Sequence, residues 1–124
     1  MFNYAGEIRT IPIQIGGKSW KPEMPHTGII INSIKEIERI KDIELRALKY
    51  FCYIARTQMF IDGNKRVAQL MANKVLFEND IGIFQIPIEK LEEFKEMLIG
   101  FYETGNDEKI IEFMREYCVI RIHS

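Results

Sequence analysis

A seven-residue stretch near the middle of the chain combines glycine, amide and charged side chains in an order suited to binding phosphate. It reads Phe60-Ile61-Asp62-Gly63-Asn64-Lys65-Arg66. Gly63 permits close approach of the backbone to a ligand, and Lys65 and Arg66 add two cations. Asp62 could hold Mg²⁺, which binds one or two carboxylates together with phosphates. The stretch predicts a binding loop for a nucleotide or similar phosphate compound, and a helix-capping turn without a ligand is the alternative.

The apolar residues around this stretch repeat with the period of an α-helix. The spacing predicts helices near 33–40, 42–56, 64–78, 88–104 and 107–118. Asn32 or Ser33 would cap the first of them. The phosphate-binding stretch runs into the start of the helix 64–78. The first N–H groups of that helix and the positive end of its dipole would therefore face the ligand.

The first residues of the chain follow a different pattern. Apolar and polar residues alternate along 8–15, and Gly16-Gly17 comes directly afterwards. Alternation followed by a glycine pair is typical of a β-hairpin, which we place within 6–22. The expected fold class is therefore mainly α, with a helical core over 33–118 and a small N-terminal hairpin.

Length and composition place the chain among small globular domains. Its 124 residues, 47% hydrophobic and 28% charged, suffice for one domain over 1–124. The net charge of −1 argues against a nucleic-acid partner, and no apolar run is long enough to cross a membrane. No secretory signal is visible, so a cytoplasmic protein is expected. Cys52 and Cys118 lack metal-ligand spacing and are expected to be buried free thiols.

Residues 58–66 resemble the signature of the Fic/Doc family, His-Pro-Phe-x-(Asp/Glu)-Gly-Asn-(Gly/Lys)-Arg. The similarity extends further, since 6–22 resembles the family's substrate-docking flap and the helices follow in the family's order. The resemblance implies a Fic-like helical bundle related to protein adenylyltransferases, which transfer AMP from ATP to protein hydroxyl groups. Lys65 stands where many members have a second glycine, a variant seen in Doc-type members and some Fic proteins.

The resemblance also implies a role for each residue that would bind the nucleotide. Asp62 would coordinate Mg²⁺ between the phosphates. Gly63, Asn64 and Lys65 would surround the anion with backbone N–H groups, and Asn64 would add its side chain. Arg66 would hold a terminal phosphate. The implied ligand is ATP or another nucleotide with Mg²⁺.

The flap would bind a protein target. Ile11, Pro12, Ile13 and Gln14 are expected to pair with an extended segment of that target by strand addition, which brings a hydroxyl side chain to the phosphate. The chain starts almost at the flap, whereas family members carry helices before it. We therefore expect self-association, or a partner subunit that covers the apolar helix faces.

One departure from the family pattern concerns catalysis. Gln58 stands at the position of the catalytic His, and Gln69 at that of a further Arg. A glutamine amide cannot replace a general base near neutral pH, a loss of typically about 10²–10⁴-fold in rate. We expect Gln58 to lie exposed at the mouth of the loop, and the protein to be inactive or weakly active. The alternatives are a residually active nucleotidyl- or phosphotransferase and a non-enzymatic interaction module that uses the flap.

Overall fold

In a computed structural model that describes residues 22–58 and 63–122, five α-helices and a two-stranded sheet follow along the chain. The helices are α1 (Thr27–Glu38), α2 (Ile43–Thr57), α3 (Asn64–Glu78), α4 (Leu91–Thr104) and α5 (Glu108–Tyr117). The strands are β1 (Gly82–Phe84) and β2 (Val119–Arg121). The mainly α fold class is confirmed. The hairpin expected within 6–22 lies, apart from Pro22, outside the described residues.

Helix α2 forms the centre of the bundle. Its buried residues are Ala47, Leu48, Tyr50, Phe51, Cys52, Ile54 and Ala55. The ring of Phe51 lies 5.1 Å from that of Phe84 and 5.8 Å from that of Phe94, measured between centroids. Helix α3 packs along α2, and its fully buried Ala68 and Ala72 leave room for close approach of the two helices. This packing sets the distance between the end of α2 and the start of α3, the two ends that flank the motif.

The first helix differs from its predicted bounds. The prediction of 33–40 is wrong, because α1 covers Thr27–Glu38. Asn32 and Ser33, expected as caps, lie inside α1, and His26 takes the cap position without a side-chain hydrogen bond. Three consecutive isoleucines at the start of α1 hid its period, since a short apolar run fits a strand as well as a helix.

The sequence does not predict the two short strands. They pair antiparallel, with Ile83 opposite Ile120. The side chain of Asn73 in α3 extends the pairing, because its Nδ2 donates to the carbonyl of Phe84 at 3.0 Å and its Oδ1 accepts from the Phe84 N–H at 2.7 Å. Strands of three residues are too short to show an alternating pattern. The pairing of the two strands connects the segment after α5 to the segment after α3.

The later helices lie close to their predicted bounds. Helix α4 begins at Leu91 rather than near 88, because Ile88–Lys90 forms a 3₁₀ turn. Asp107 takes the cap position of α5, but its carboxylate accepts a hydrogen bond from Lys49 Nζ at 2.8 Å instead of capping the helix. This ion pair joins the start of α5 to α2.

Both cysteines are buried and free, as expected. Burial raises the pKa of the Cys118 thiol to about 11 and also raises the pKa of Cys52. Within the described ranges, none of the helices has the length and apolar character required to span a bilayer.

Candidate functional site

Two residues in the left-handed conformation bracket the segment that joins α2 to α3. Gln58 ends α2 with φ 49° and ψ 46°, and Gly63 precedes α3 with φ 76° and ψ 11°. Glycine adopts this conformation freely, whereas a residue with a Cβ atom pays about 1–3 kcal/mol. The N–H of Gln58 donates to the carbonyl of Ile54 at 3.3 Å and closes the last turn of α2. These positions fix where α2 stops and α3 starts.

The side chain of Gln58 is turned into the protein. Only 9% of the residue is exposed, so the expectation that it lies at an exposed loop mouth is wrong. Its Nε2 donates to the carbonyl oxygen of Ala55, and its Oε1 accepts from Asn64 Nδ2 at 3.0 Å. These partners explain the burial, because a polar side chain with its hydrogen bonds made can leave water at little cost.

Asn64 connects this amide to the start of α3. It is the first residue of the helix and is 5% exposed. One N–H of its side chain is used in the hydrogen bond to Gln58 across the segment between the helices. The family resemblance implies that the Asn64 side chain contributes to an anion hole. In the structure that side chain is already part of a buried pair.

A residue far along the chain, Tyr102 of α4, completes the cluster. It is 5% exposed, and its hydroxyl lies near enough to the Gln58 amide for that amide to lower its pKa, an effect smaller than that of burial. Burial raises the pKa of the Tyr102 hydroxyl above its usual range. The sequence marks Tyr102 only as one apolar position of a helical stripe. No local spacing relates it to the motif, so it could not be found before the fold was known.

The start of α3 carries the features of an anion site. The first hydrogen bond inside the helix runs from Val67 N–H to the carbonyl of Gly63 at 2.9 Å, so the N–H groups before Val67 have no acceptor within α3. The first turn holds no acidic residue, and Lys65 and Arg66 are both exposed. Among the described residues other than its chain neighbours, none has an atom within 4 Å of where a Cβ of Gly63 would be. Gln69, one turn on, is half-buried.

Several residues implied by the resemblance lie outside the described part of the chain. These are Asp62, the expected Mg²⁺ ligand, and the docking residues Ile11, Pro12, Ile13 and Gln14. Within 22–58 and 63–122, no group of three or more His, Cys, Asp or Glu side chains could hold a metal ion. The geometry available for the site is therefore that of Gln58 and of Gly63 to Arg66.

A groove of about 730 Å³ lies on another side of α2. Its walls come from α1, α2 and the corner between α4 and α5, and include Ile37, Tyr53, Arg56 and Phe101. Arg56 Nε donates to the backbone carbonyl of Tyr102 at 3.2 Å, and its guanidinium lies 6.0 Å from the Phe101 ring centroid. Residues 63–66 do not line this groove.

Comparison with known protein families finds a match. The model described as the Fic/DOC family matches residues 1–76, more than half of the chain. The matched range includes all of 58–66, whereas α4 and α5, and therefore Tyr102, lie beyond it. A comparison with curated proteins finds no match.

Proposed function

Since this chain belongs to the Fic/DOC family, we propose that it is a Fic-like protein which binds a nucleotide at the start of α3 and transfers it weakly or not at all. The observation that carries the proposal is the state of Gln58. This residue occupies the position of the family's catalytic His, and its amide is buried and hydrogen-bonded to Ala55 and Asn64.

The binding half of the proposal is supported by the electrostatics of the first turn of α3. Its N–H groups and the helix dipole attract an anion, and Lys65 and Arg66 are exposed beside them. Arg66 is proposed to hold a terminal phosphate through two N–H groups, as guanidinium groups commonly do. Asp62 is proposed to hold Mg²⁺ between the phosphates, so that the ligand is ATP or a related nucleotide with Mg²⁺.

The catalytic half is supported by proton chemistry. Transfer to a protein hydroxyl requires a group that accepts the hydroxyl proton as the new O–P bond forms. The neutral amide of Gln58 cannot accept that proton near neutral pH. The buried hydroxyl of Tyr102 does not supply the missing base, because burial raises its pKa above a usual value that already leaves tyrosine protonated near neutral pH. Binding without efficient transfer is therefore the expected behaviour.

Lys65 favours a second candidate function. This exposed lysine stands where many family members have a glycine. Doc-type members also carry a lysine there, and in them the terminal phosphate is transferred. Residual phosphotransfer would appear as label from γ-labelled ATP on protein, and residual nucleotidyl transfer as label from α-labelled ATP. The proposed protein partner in both cases docks along Ile11, Pro12, Ile13 and Gln14.

Nucleotide binding by Arg66→Ala tests the proposed site. Loss of a charge-assisted hydrogen bond of about 1.5–3 kcal/mol should weaken binding of ADP with Mg²⁺ by about 10-fold or more in calorimetry. Arg39→Ala is the matched control, since Arg39 is an exposed arginine at the end of α1 and removes the same charge. Equal affinity of Arg66→Ala and wild type, or no binding by wild type, would overturn the assignment.

A further inference from the structure

We propose that the side-chain amides of Gln58 and Asn64, together called the amide pair, are positioning groups of the anion site: they hold the start of α3 in place and do not touch the ligand. The inference rests on the proposed function, because the anion site is the one proposed there. It departs from the role that the family resemblance implies for Asn64, which is to add its side chain to the anion hole. It also assigns a task to Gln58 beyond the loss of the base.

The amide pair joins two helix ends directly. Gln58 ends α2 and Asn64 begins α3, and the two residues are 9% and 5% exposed. Asn64 Nδ2 donates to Gln58 Oε1 at 3.0 Å, and Gln58 Nε2 donates to the backbone carbonyl of Ala55. The last turn of α2 and the first residue of α3 are therefore connected through side chains as well as through the chain between them.

The carbonyl of Ala55 determines how both amides are oriented. A backbone carbonyl can only accept hydrogen bonds, so the NH₂ group of Gln58 faces Ala55. The Gln58 oxygen then faces Asn64, which presents its own NH₂ group. The two hydrogen bonds run in the same direction, and each polarises the other in a place shielded from water. The amide pair therefore has one favourable arrangement.

The amide pair also holds the end of α2 in an unfavourable conformation. The left-handed backbone of Gln58, with φ 49°, persists only where surrounding contacts hold a residue with a Cβ atom. Its N–H donates to the Ile54 carbonyl and its side chain to that of Ala55, so it satisfies two of the last four carbonyls of α2. The same side chain accepts from Asn64. One residue thus fixes the end of α2 relative to the start of α3.

Burial decides between positioning and direct contact for Asn64. Only 5% of the residue is exposed, and one N–H of its amide is used by Gln58. Lys65 and Arg66 are exposed, and the backbone N–H groups before Val67 have no acceptor within α3. These groups can meet an anion from solvent while the buried amide holds them in a fixed orientation. A site that is ordered before the ligand arrives loses less conformational freedom on binding, so its affinity is higher.

Gln58→Met tests the amide pair, because methionine is close to glutamine in size and removes both hydrogen bonds. Asn73→Leu is the matched control, since Asn73 is another asparagine of α3 and bonds to the backbone of Phe84 at 3.0 and 2.7 Å. The first readout needs no ligand and consists of the NMR signals of the Asn64 amide and the hydrogen exchange of the Val67 N–H, which closes the first turn of α3. We expect shifted amide signals and exchange about five-fold faster in Gln58→Met, with neither change in Asn73→Leu.

The second readout is the affinity for ADP with Mg²⁺ in a double-mutant cycle of Gln58→Met and Asn64→Leu. Each single substitution should weaken binding by about five-fold, corresponding to one lost neutral hydrogen bond. The double variant should bind no more weakly than either single variant, because both break the same link. Gln58→His keeps one donor and one acceptor and should recover most of the affinity lost in Gln58→Met. Asn73→Leu should bind ADP as the wild type does.

The outcomes separate this inference from the proposed function. Unchanged Asn64 amide signals and Val67 exchange in Gln58→Met would overturn the positioning role, whatever the affinity of the wild type. If Gln58→Met does not fold, Val67 exchange in Asn64→Leu decides the same point, because that variant breaks the same hydrogen bond from its other end.

Two results would overturn the positioning role through the affinities. Additive losses in the double variant would show that Asn64 touches the ligand itself. Equal losses in Asn73→Leu and Gln58→Met would show a general effect of reduced stability. Faster Val67 exchange in a Gln58→Met protein whose wild type binds no ADP would support the amide pair as the group that positions α3 but remove the proposed nucleotide site.

Discussion

Replacing Gln58 by histidine tests whether one missing base accounts for the expected loss of transfer. The residue is 9% exposed, donates to the Ala55 carbonyl and accepts from Asn64 at 3.0 Å. A neutral imidazole likewise offers one N–H donor and one acceptor nitrogen. We therefore expect Gln58→His to keep the fold, with the ring N–H directed to Ala55 and the acceptor nitrogen in the place of Oε1, where it acts as a base once a target hydroxyl replaces the Asn64 N–H.

The expected magnitude follows from the role of a general base. A positioned base contributes typically about 10²–10⁴-fold, so transfer should rise by at least about 10²-fold over the wild type. Burial disfavours the imidazolium and lowers the pKa of the new histidine below its usual value of about 6.5. The neutral, proton-accepting form is present above that lowered pKa. The rate should therefore be level near pH 7 and should fall as the pH drops through the lowered pKa.

The assay is transfer of label from α- and γ-labelled ATP with Mg²⁺ to the protein itself or to added protein. Gln85→His is the matched control, since it places a histidine at an exposed glutamine outside the site. Gln58→Ala controls for loss of the amide alone. If Gln58→His binds nucleotide as the wild type does and still transfers neither label, the missing base is not the cause. Gln69, at the position of the family's further Arg, would then be the next residue to restore.

Three further predictions concern the scaffold. Gly82→Ala should lower the free energy of unfolding by about 1–3 kcal/mol, because a Cβ there would collide with the backbone of β2. Gly100→Ala, in open space inside α4, should raise the free energy of unfolding by about 0.5–1 kcal/mol. Equal changes of the two variants in urea unfolding would contradict this difference. Arg115, hydrogen-bonded to Asp42 at 2.8 Å, holds the pKa of that carboxyl below 3.8. Because this pKa is lower in the folded state, the stabilisation by the pair is complete at a pH above the pKa of the unfolded chain and is lost as the pH falls through the pKa of the folded protein. The melting temperature of Asp42→Asn should therefore depend less on acid pH than that of the wild type. An unchanged dependence would count against the pair. Cys52 is 2% exposed and burial raises its pKa, so it should react with a disulfide reagent only on unfolding, and rapid labelling of the native protein would contradict its burial.

The long helices are predictable because their apolar residues repeat strongly. Helix α3 covers the predicted range 64–78, and α2 differs from 42–56 by one residue at each end. In both, burial of one face decides the structure, and the sequence displays that face directly. The short strands and the start of α1 are set instead by contacts with distant segments, such as the bonds between Asn73 and the backbone of Phe84. Local periodicity carries no record of such contacts.

The candidate site likewise has a part that the sequence predicts and a part that depends on contacts between helices. The start of α3, with Gly63 before it and two cations in its first turn, follows from the order of residues in the motif. The burial of Gln58 does not, because it depends on a left-handed residue at the end of α2 and on the hydrogen bond from Asn64 across the segment between the helices. A glutamine between helices is usually exposed, so its side chain is placed inside only once the partners Ala55 and Asn64 are known.

Parallel measurement of nucleotide binding and label transfer by the wild-type protein tests the central claim most directly. The claim is that the start of α3 binds a nucleotide while buried Gln58 leaves the site without a base. Calorimetry with ADP and Mg²⁺ should therefore detect binding, and incubation with α- or γ-labelled ATP should leave protein unlabelled or labelled only at a trace level. Rapid labelling from either nucleotide, or no binding at all, would contradict the account.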